Sequence, residues 1–433
     1  MNVLMQRKEI NVTALGRLEA ILDLSRLRTV LKAAMSALGD GPALTSCGIA
    51  RVHPRGDGGY VMEVAAHLED GSIRQYFVEI PAGDPMQHLH NIHRRTSKQN
   101  ARIGSGDQGA MFPIHADDHL GVFVRPRGFD ELIDGLVTQK NFNQFRDQLP
   151  PDVAAHLVDP CPTRLLAHRL HRRAVVGIGD RYILKLYKKK SAKAQQATAF
   201  TTLLEHTSFG EGSAVRVPKT LALLKSWPGY LMLQSEGLPL STLRSEDRTQ
   251  GMRLAGEAIG HLHRLPLRLQ ENHSQYDECA LLRPWVQLIS SMYPSLSRDA
   301  GKAYNHVEKL LAYGDAEPFT LVHRDFHESQ VLISGTTATL IDFDTACNGE
   351  PAQDIGNFLG HLDFAALIAN TDDEAAAAEF LRGYAHGHGQ PNTARVEAHR
   401  RATLLRLACI YAFSSEHSRL SPRLAAMALR DTP

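Results

Sequence analysis

The stretch LVHRDFHESQVLISGTTATLIDFDTACNGEPAQDIGNFL, residues 321–359, contains two short apolar segments that each lead into acidic residues. The segment LVH leads to Asp325, and the segment ATLI leads to Asp342 and Asp344. Short apolar runs bounded by turn residues indicate buried strands. The sequence therefore predicts two strand ends that bring carboxylates side by side.

Carboxylates in this arrangement suit phosphoryl transfer from ATP. One carboxylate must orient the acceptor hydroxyl and take its proton, and other oxygen ligands must hold magnesium against the phosphates. The pattern therefore predicts ATP and Mg²⁺ as cofactors.

The same stretch resembles the aminoglycoside phosphotransferase family of small-molecule kinases, which share the protein-kinase fold. The family's HxDxxxxN loop matches His323, Asp325 and Gln330, and its metal-binding aspartate matches Asp342. The segment GEPAQDIGNFL is similar to the family's GdPxxDl segment, with Asp354 at its aspartate.

A second match lies upstream, where AGEAIGHLHRL at 255–265 is similar to the helix that ends in LxxLH before the catalytic loop. The resemblance covers roughly residues 160–390, and its motifs keep their order and spacing. It implies an α+β, bilobal protein-kinase-like fold with a small antiparallel-sheet N-lobe and a mainly helical C-lobe.

The resemblance implies that Asp325 is the acceptor-orienting base and Asp342 the principal magnesium ligand. Gln330 stands where the family usually has Asn, as in maltokinase-like members, and its amide oxygen can still bind magnesium. Asp344 is either a further metal ligand or an ordinary cap. Arg324 replaces the usual Gly, and His323 is interpreted as a structural hydrogen-bonding residue.

Lys185 is the predicted nucleotide lysine. It alternates with Ile183 and Tyr187 in the strand-like segment RYILKLY, and a charge within an apolar strand is costly to bury unless it is paired. In the family, the matching lysine binds the α and β phosphates. The lysine run at 188–190 is the alternative, although such a run is typical of a solvated strand end.

Other parts of the predicted nucleotide site are less distinctive. Glu205 is the candidate carboxylate partner of Lys185, the alternative being a surface charge. The segment LMLQSEGLPL resembles the hinge between the lobes, where backbone groups of Gln234, Ser235 and Glu236 would contact adenine.

No glycine-rich loop of the form GxGxxG precedes Lys185, and the turn there is HRLHRRAV. Arg172 or Arg173 is a candidate phosphate contact, but we prefer to interpret both as part of an exposed basic turn.

The chain divides into three predicted domains, which are an N-terminal α+β module at 1–150, a kinase-like N-lobe at 160–237 and a helical C-lobe at 238–433. Within the first module, strands are predicted over 45–82 and at MFPI and HLGVFVRP, and a helix near 129–147. Residues 84–110 are predicted to form a long loop or a poorly ordered excursion. The first module either duplicates the small lobe in degenerate form, with Glu79 in the place of Lys185, or is an unrelated module.

Composition excludes several other classes. Apolar residues make up 43% and the net charge is +1, so no global field favours nucleic acid or an anionic membrane. The five cysteines are scattered without metal-ligand spacing, and we expect neither disulfides nor a zinc site. The N-terminus lacks a signal-peptide pattern and no run is long enough to span a bilayer, which predicts a cytoplasmic protein.

The predicted partner is a small-molecule acceptor, with the oligomeric state open. Aminoglycoside-modifying enzymes need acidic pockets to hold polycations, whereas the C-terminal stretch is rich in arginine. A neutral or anionic acceptor such as a sugar is therefore favoured, although most of these arginines are expected on helix surfaces. They are Arg395, Arg400, Arg401, Arg406, Arg419, Arg423 and Arg430.

Two alternatives remain open. A pseudokinase or scaffold that binds nucleotide without chemistry is suggested by Gln330, by the uncertain role of Glu205 and by the additional N-terminal module. A protein kinase of the same fold is disfavoured because no APE-like activation segment follows LIDFD.

Overall fold

The computed structural model describes residues 13–103, 113–136, 142–157, 162–210, 212–313 and 316–430. The chain forms two compact units. The first comprises Met1–Glu131 with Phe413–Glu416, and the second comprises Leu132–Ala412 with His417–Pro433. Among the described residues, no helix combines the length and the apolar composition that crossing a bilayer requires.

The first unit begins with two helices, α1 (Ala14–Leu22) and α2 (Leu24–Leu38). Asp23 caps α2 by accepting hydrogen bonds from Ser25 N and Arg26 N. A five-stranded antiparallel sheet follows, in the order β1-β2-β3-β5-β4. Its strands are β1 (Leu44–Pro54), β2 (Tyr60–Leu68), β3 (Ile73–Ile80), β4 (His115–Asp117) and β5 (Val122–Pro126). The strands predicted over 45–82 are confirmed.

The loop predicted over 84–110 is wrong where the structure describes this stretch up to residue 103. Pro85–Ile103 forms a helix, α3. Asp84 caps it by accepting hydrogen bonds from Met86 N and Gln87 N, with Pro85 in the first turn. Few of its described side chains are buried, with Ile92 as a fully buried apolar residue. Because most of the segment is polar, the apolar residues do not show a clear helical spacing in the sequence. Residues 104–110 lie outside the described residues.

The other predictions for the end of this stretch are only partly met. Strand β4 follows MFPI instead of coinciding with it, and the residues at 111–112 lie outside the described part of the chain. Residues 131–136 form turns, and helix α4 is limited to Phe142–Asp147. A short helix α5 (Pro151–Ala155) precedes the second sheet.

Residues 132–157 belong to the second unit, whereas the sequence placed the end of the first module at residue 150. The reason is apolar packing, because Ile133, Phe145 and Leu149 share one buried cluster with Val176 and Leu184. The three-domain division itself stays a prediction.

The second unit contains another five-stranded antiparallel sheet, in the order β6-β7-β8-β11-β10. Helix α6 packs against β8, β10 and β11. These elements are β6 (Thr163–Arg169), β7 (Arg173–Ile178), β8 (Tyr182–Tyr187), α6 (Lys193–Glu205), β10 (Thr220–Leu223) and β11 (Gly229–Leu233). All of them match strands or a helix predicted from the sequence.

The remainder of the second unit is mainly helical, as predicted. Its helices are α7 (Ser245–Arg264), α8 (Gln275–Met292), α9 (Pro294–Ala312), α10 (Pro351–Ala369), α11 (Glu374–Gly387), α12 (Thr393–Tyr411) and α13 (Ser421–Leu429). Short strands interrupt them or connect them to the sheet, namely β9 (Val215–Arg216), β12 (Leu238–Pro239), β13 (Thr320–Val322), β14 (Val331–Ser334), β15 (Thr337–Leu340) and β16 (Cys347–Gly349). The predicted α+β fold with a small antiparallel sheet and a helical lobe is confirmed.

Helices α7 and α11 approach at backbone contact. A Cβ atom added at Gly256 would lie 2.0 Å from Phe380 O, and one added at Gly383 would lie 2.0 Å from Arg253 O. Only glycine permits this approach. The close packing fixes the C-terminal end of α7, which carries His263, against the helical core.

Candidate active site

One buried carboxylate fixes the loop that follows β13. Asp354, in the first turn of α10, accepts hydrogen bonds from His323 N and Arg324 N, each at 2.7 Å. Arg324 has φ of 69°, in the left-handed region that disfavours side chains and favours glycine. This conformation explains why a glycine is usual at this position, and the two hydrogen bonds hold Arg324 in it. The next residue is Asp325.

Asp354 also connects this loop to two helices. Its Oδ2 atom lies 3.0 Å from His263 Nε2, and His263 Nδ1 lies 3.1 Å from the hydroxyl of Tyr384 on α11. Burial would raise the pKa of Asp354, but the contact with His263 and the backbone hydrogen bond from His323 hold that pKa below its ordinary value. An ionised Asp354 therefore anchors the loop to α7, α10 and α11.

The side chain of His323 joins the two strand ends. Its Nε2 atom lies 2.8 Å from Ile341 O, directly before Asp342. The His323 ring also packs against Phe343, with centroids 4.7 Å apart. These contacts support the structural role predicted for His323.

Asp342 and Asp344 follow β15 on either side of a buried phenylalanine. Asp342 has φ of 66°, and Phe343 starts a single 3-10 turn. The Phe343 ring packs edge-on against Phe200 of α6, with centroids 5.4 Å apart. Because Phe343 is held in the core, the carboxylates on either side of it are held towards the strands of the sheet.

Lys185 and Arg173 both bind these two carboxylates. Lys185 Nζ donates to Asp342 Oδ1 at 2.9 Å and to Asp344 Oδ1 at 3.1 Å. Arg173 donates to both oxygens of Asp342, at 2.9 and 3.0 Å, and to Asp344 Oδ2. The strand lysine and the two strand-end aspartates that the sequence singled out therefore lie together.

Two further donors complete the environment of Asp344. The hydroxyl of Tyr187 donates to Asp344 Oδ1 at 2.8 Å, and Lys193 Nζ donates to the backbone oxygen of Asp344 at 3.2 Å. Every carboxylate oxygen of Asp342 and Asp344 thus accepts at least one hydrogen bond from β7 or β8.

The charges in this cluster stabilise one another. Burial alone would raise the pKa of Asp342, but the positive charges of Lys185 and Arg173 hold it well below its ordinary value. Burial alone would lower the pKa of Lys185, but the negative charges of Asp342 and Asp344 raise it. All of these groups are therefore charged at neutral pH.

A cavity of about 180 Å³ opens onto the two aspartates and also onto Asp325. Its lining combines carboxylates with a larger number of lysine and arginine side chains. The lining residues are Arg169, Arg172, Arg173, Tyr187, Lys188, Ser191, Lys193, Asp325, Asp342, Asp344 and Thr345. Carboxylate oxygens suit Mg²⁺ and guanidinium groups suit phosphate, so the donors present fit a magnesium nucleotide.

Gln330 is positioned next to this cavity by its backbone, because its carbonyl oxygen accepts from Ile341 N at 3.0 Å. Its side-chain Nε2 lies 3.2 Å from His327 Nε2. The structure thus places Gln330 beside the strand end that carries Asp342, with its side chain towards His327 and outside the cavity lining.

Glu205 does not pair with Lys185 in the structure, which corrects the sequence prediction. Its carboxylate accepts a hydrogen bond from Thr220 N at 2.9 Å. Glu205 is the last residue of α6, so its side chain reaches the beginning of β10. The acidic partners of Lys185 come instead from the segment after β15.

The predicted hinge lies between β11 and β12. Gln234 N donates to Arg181 O at 2.8 Å, so this amide is occupied within the sheet. Ser235 and Glu236 follow it, and Gly237 adopts φ of 106° before β12. Their contact with adenine stays a prediction.

Arg173 is the functional side chain that the sequence did not resolve. The interpretation of Arg172 and Arg173 as an exposed basic turn is correct for Arg172 and wrong for Arg173. Arg173 starts β7 opposite Tyr187, and its side chain is only 19% exposed. Arg173 is two residues from Val175 along β7, and Val175 pairs with Lys185. Residues two apart in a strand share a face, and this spacing was the signal in the sequence that Arg173 lies on the same face as Lys185.

The antiparallel sheet with α6, the mainly helical remainder and the lysine–aspartate cavity define the class of the protein. It is a small-molecule kinase with a protein-kinase-like fold. The sequence model of the phosphotransferase enzyme family, abbreviated APH, matches residues 163–399. This match spans more than half of the chain, and the protein belongs to that family.

Several solved structures are similar to this chain. A choline/ethanolamine kinase family protein from Mesorhizobium loti is 16% identical, with a TM-score of 0.48 over 67% of this chain and 95% of that one. A thermostable mutant of the aminoglycoside phosphotransferase APH(4)-Ia is 16% identical, with a TM-score of 0.48 over 67% and 98%. A choline kinase from Cryptosporidium parvum Iowa II is 13% identical, with a TM-score of 0.46 over 67% and 93%. A search of curated proteins gave no match.

Proposed function

We propose that the protein transfers the γ-phosphoryl group of ATP, bound with Mg²⁺, to a hydroxyl group of a sugar-like small molecule. The observation that supports this most is the cavity in which Asp325, Asp342 and Asp344 lie together, with Lys185 hydrogen-bonded to the latter two. A small-molecule kinase needs these groups around the phosphates and the acceptor oxygen.

Each residue has a distinct role in this proposal. Asp325 orients the acceptor hydroxyl and takes its proton as the hydroxyl oxygen bonds to the γ-phosphorus, while the bond from that phosphorus to the bridging oxygen breaks and ADP leaves. Asp342 is the principal metal ligand and Asp344 is a further oxygen donor. The Gln330 amide oxygen joins them only if its side chain turns from His327 towards the cavity. Lys185 binds the phosphates. When bound, the magnesium nucleotide supplies the phosphoryl group, and its Mg²⁺ offsets the negative charge of the phosphate oxygens.

Three of the seven C-terminal arginines do not bear on the acceptor, because they are paired with acidic residues. Arg395 binds both carboxylate oxygens of Glu350, at 2.7 and 2.8 Å, and is buried. Arg400 pairs with Asp363, and Arg406 pairs with Glu278 at 3.1 Å. These arginines are structural partners of acidic residues, so they provide no free positive surface for an anionic acceptor.

Neutral polar groups near Asp325 support a sugar-like acceptor better. Burial lowers the pKa of His327, which keeps its imidazole uncharged at neutral pH. The ring stacks on His361, with centroids 4.6 Å apart, and contacts the Gln330 amide. Uncharged imidazole and amide groups donate to and accept from hydroxyl groups, whereas a polycationic aminoglycoside requires acidic groups.

Turnover of Mg·ATP against a panel of sugars, aminoglycosides and amino alcohols tests the proposal. We expect phosphorylation of a sugar, and a loss of about 10³-fold or more with Asp325→Asn because the proton acceptor is removed. Asp299→Asn is the matched control, since Asp299 is exposed on α9. Full turnover by Asp325→Asn would refute the role of Asp325. Nucleotide binding without turnover of any acceptor would favour the pseudokinase hypothesis instead.

A further inference from the structure

The Arg173 side chain is hydrogen-bonded to the carboxylate oxygens that would ligate a metal ion. Its guanidinium donates to both carboxylate oxygens of Asp342 and to one of Asp344. Lys185 Nζ also donates a hydrogen bond to one oxygen of each carboxylate, Oδ1 of Asp342 and Oδ1 of Asp344. Two anionic and two cationic side chains therefore form a closed, neutral cluster.

A magnesium ion and the Arg173 guanidinium compete for this position. Mg²⁺ binds oxygen at about 2.0–2.1 Å and demands nearly ideal octahedral geometry. A guanidinium that lies 2.9 and 3.0 Å from the two oxygens of Asp342 covers the same face of that carboxylate. Two cations held on one carboxylate also repel each other strongly in a partly buried site. Metal binding to Asp342 therefore requires Arg173 to move.

The position of Arg173 in the sheet indicates where it moves. The turn between β6 and β7 contains no glycine, and His171 within it already has φ of 59°. A glycine-rich turn binds phosphates through closely approaching backbone amides, and bulky residues in this turn prevent that approach. Side chains must replace those amides, and Arg169, Arg172 and Arg173 all line the cavity.

We propose that Arg173 is a phosphate-binding residue that exchanges partners. In this structure its guanidinium is hydrogen-bonded to Asp342 and Asp344. When a magnesium nucleotide binds, the side chain moves and the guanidinium hydrogen-bonds to the phosphates instead. This inference rests on the proposed kinase function and adds a residue to its nucleotide site. This exchange couples metal binding to nucleotide binding. The carboxylates of Asp342 and Asp344 become available to the metal only when Arg173 binds phosphate oxygens in their place.

Mn²⁺, a spectroscopic substitute for Mg²⁺, provides a test that is independent of turnover. The free Mn²⁺ signal in electron paramagnetic resonance measures metal affinity, and a fluorescent ADP analogue measures nucleotide affinity. We expect Arg173→Ala to bind Mn²⁺ at least about tenfold more tightly than wild type without nucleotide, since the carboxylates are uncovered. We expect the same variant to bind ADP at least about tenfold more weakly.

Matched variants separate charge from shape and folding. Arg164→Ala removes an exposed arginine from β6 outside the cavity lining, and both affinities should equal wild type. Arg173→Lys should show intermediate ADP affinity, because a lysine retains the charge without the planar fork. Arg173→Gln keeps a polar side chain and serves if Arg173→Ala does not fold.

The outcomes distinguish this inference from the proposed function. If Mn²⁺ affinity is unchanged in both Arg173→Ala and Arg173→Gln, Arg173 does not compete with the metal for the carboxylates, and this part of the inference is wrong. Tighter Mn²⁺ binding with unchanged ADP affinity overturns the transfer to phosphate. Asp342→Asn tests the proposed function separately, since undiminished Mn²⁺ binding in the presence of ADP would contradict the metal-ligand role of Asp342 whatever Arg173 does.

Discussion

The two five-stranded sheets of this chain share one topology and differ in the charge at the centre. Both place the first three strands in chain order, with a helix after the third strand. The fifth strand lies beside the third and the fourth lies at the edge, giving β1-β2-β3-β5-β4 and β6-β7-β8-β11-β10. Glu79 of β3 pairs with Phe123, the second residue of β5. Lys185 of β8 pairs with Tyr230, the second residue of β11.

The partners of the two central charges come from different places. Glu79 contacts Arg55 at 3.0 Å, Arg125 at 3.3 Å and His88 of α3 at 2.5 Å, all within the first unit. Arg125 in turn binds Glu131 at 2.6 Å. Lys185 instead pairs with carboxylates that follow β15, in the helical part of the second unit.

We infer from this difference that the source of the charge partner, more than the sheet, decides whether such a position is available to a ligand. A charge neutralised by its own sheet and helix holds that sheet together. A charge neutralised across a cavity is accessible to a ligand that can replace its partner. The shared topology supports the proposal that the first sheet is a degenerate copy of the small lobe, in which Glu79 occupies the place of Lys185.

The largest expected effect comes from removing each central charge and measuring turnover. Lys185→Met should lower kcat/KM for ATP by about 10²–10³-fold, because a cation that binds the phosphates is lost. Glu79→Gln should leave kcat/KM within about threefold of wild type, since its partners lie within the first unit. A loss with Glu79→Gln as large as that with Lys185→Met would break the comparison and give the first sheet a catalytic role.

The same Glu79→Gln variant should have the larger effect on the stability of its own sheet. Removing one partner from a buried ion-pair cluster costs about 3 kcal/mol or more, and Arg125, with a side chain 2% exposed, would keep Glu131 as a partner. Hydrogen exchange measured by mass spectrometry should therefore be faster in β2 and β3. Exchange in β7 and β8 is the internal control and should be unchanged.

Much of the second unit was predictable because its signals are local. Two apolar strands that lead into aspartates, and one lysine in an apolar strand, indicated Asp325, Asp342 and Lys185, and the family resemblance implied their roles. The strands of the second sheet also follow the alternation of their apolar residues. Family resemblance then gave the order of the lobes.

The wrong predictions about the site concern contacts between different segments of the chain, whereas the missed helix α3 has a local cause. Glu205 was chosen as the partner of Lys185 because it is acidic and lies in the next helix, but its position at the end of α6 directs it to Thr220. Arg173 was indistinguishable from Arg172 without knowing which of them faces Asp342. Helix α3 was missed because a polar composition outweighed a clear cap at Asp84 and Pro85.

Acid should weaken the cluster around Lys185 in a defined direction. The ordinary pKa of an aspartate is 3.8, and the ion pairs of Asp342 hold its folded pKa below that value. The stabilisation that these ion pairs contribute is therefore fully present above about pH 5 and is lost progressively as the pH falls. At pH 3 the lost part amounts to about 1 kcal/mol. Asp342→Asn lacks this titration.

Tryptophan fluorescence measures this loss in the second unit, because both tryptophans, Trp227 and Trp285, belong to it. Between pH 5 and pH 3, the melting temperature of wild type should fall by about 2–4 °C more than that of Asp342→Asn. Equal decreases in the two proteins would show that Asp342 is not held by Lys185 and Arg173 in solution.

The smallest expected effect concerns Glu205, and it decides whether the partner of Lys185 is correctly assigned. Glu205→Gln keeps an acceptor oxygen for Thr220 N, so the free energy of unfolding should change by less than about 0.5 kcal/mol. Glu205→Ala leaves that amide unpaired and should lower the free energy of unfolding by about 1 kcal/mol. Both variants should keep the KM for ATP within about twofold of wild type. An increase of tenfold in KM with Glu205→Gln, at unchanged stability, would mean that the working enzyme pairs Lys185 with Glu205. The second sheet would then pair its central charge with a residue of its own helix, as the first sheet pairs Glu79 with His88 of α3, and the contrast between the two sheets would fail.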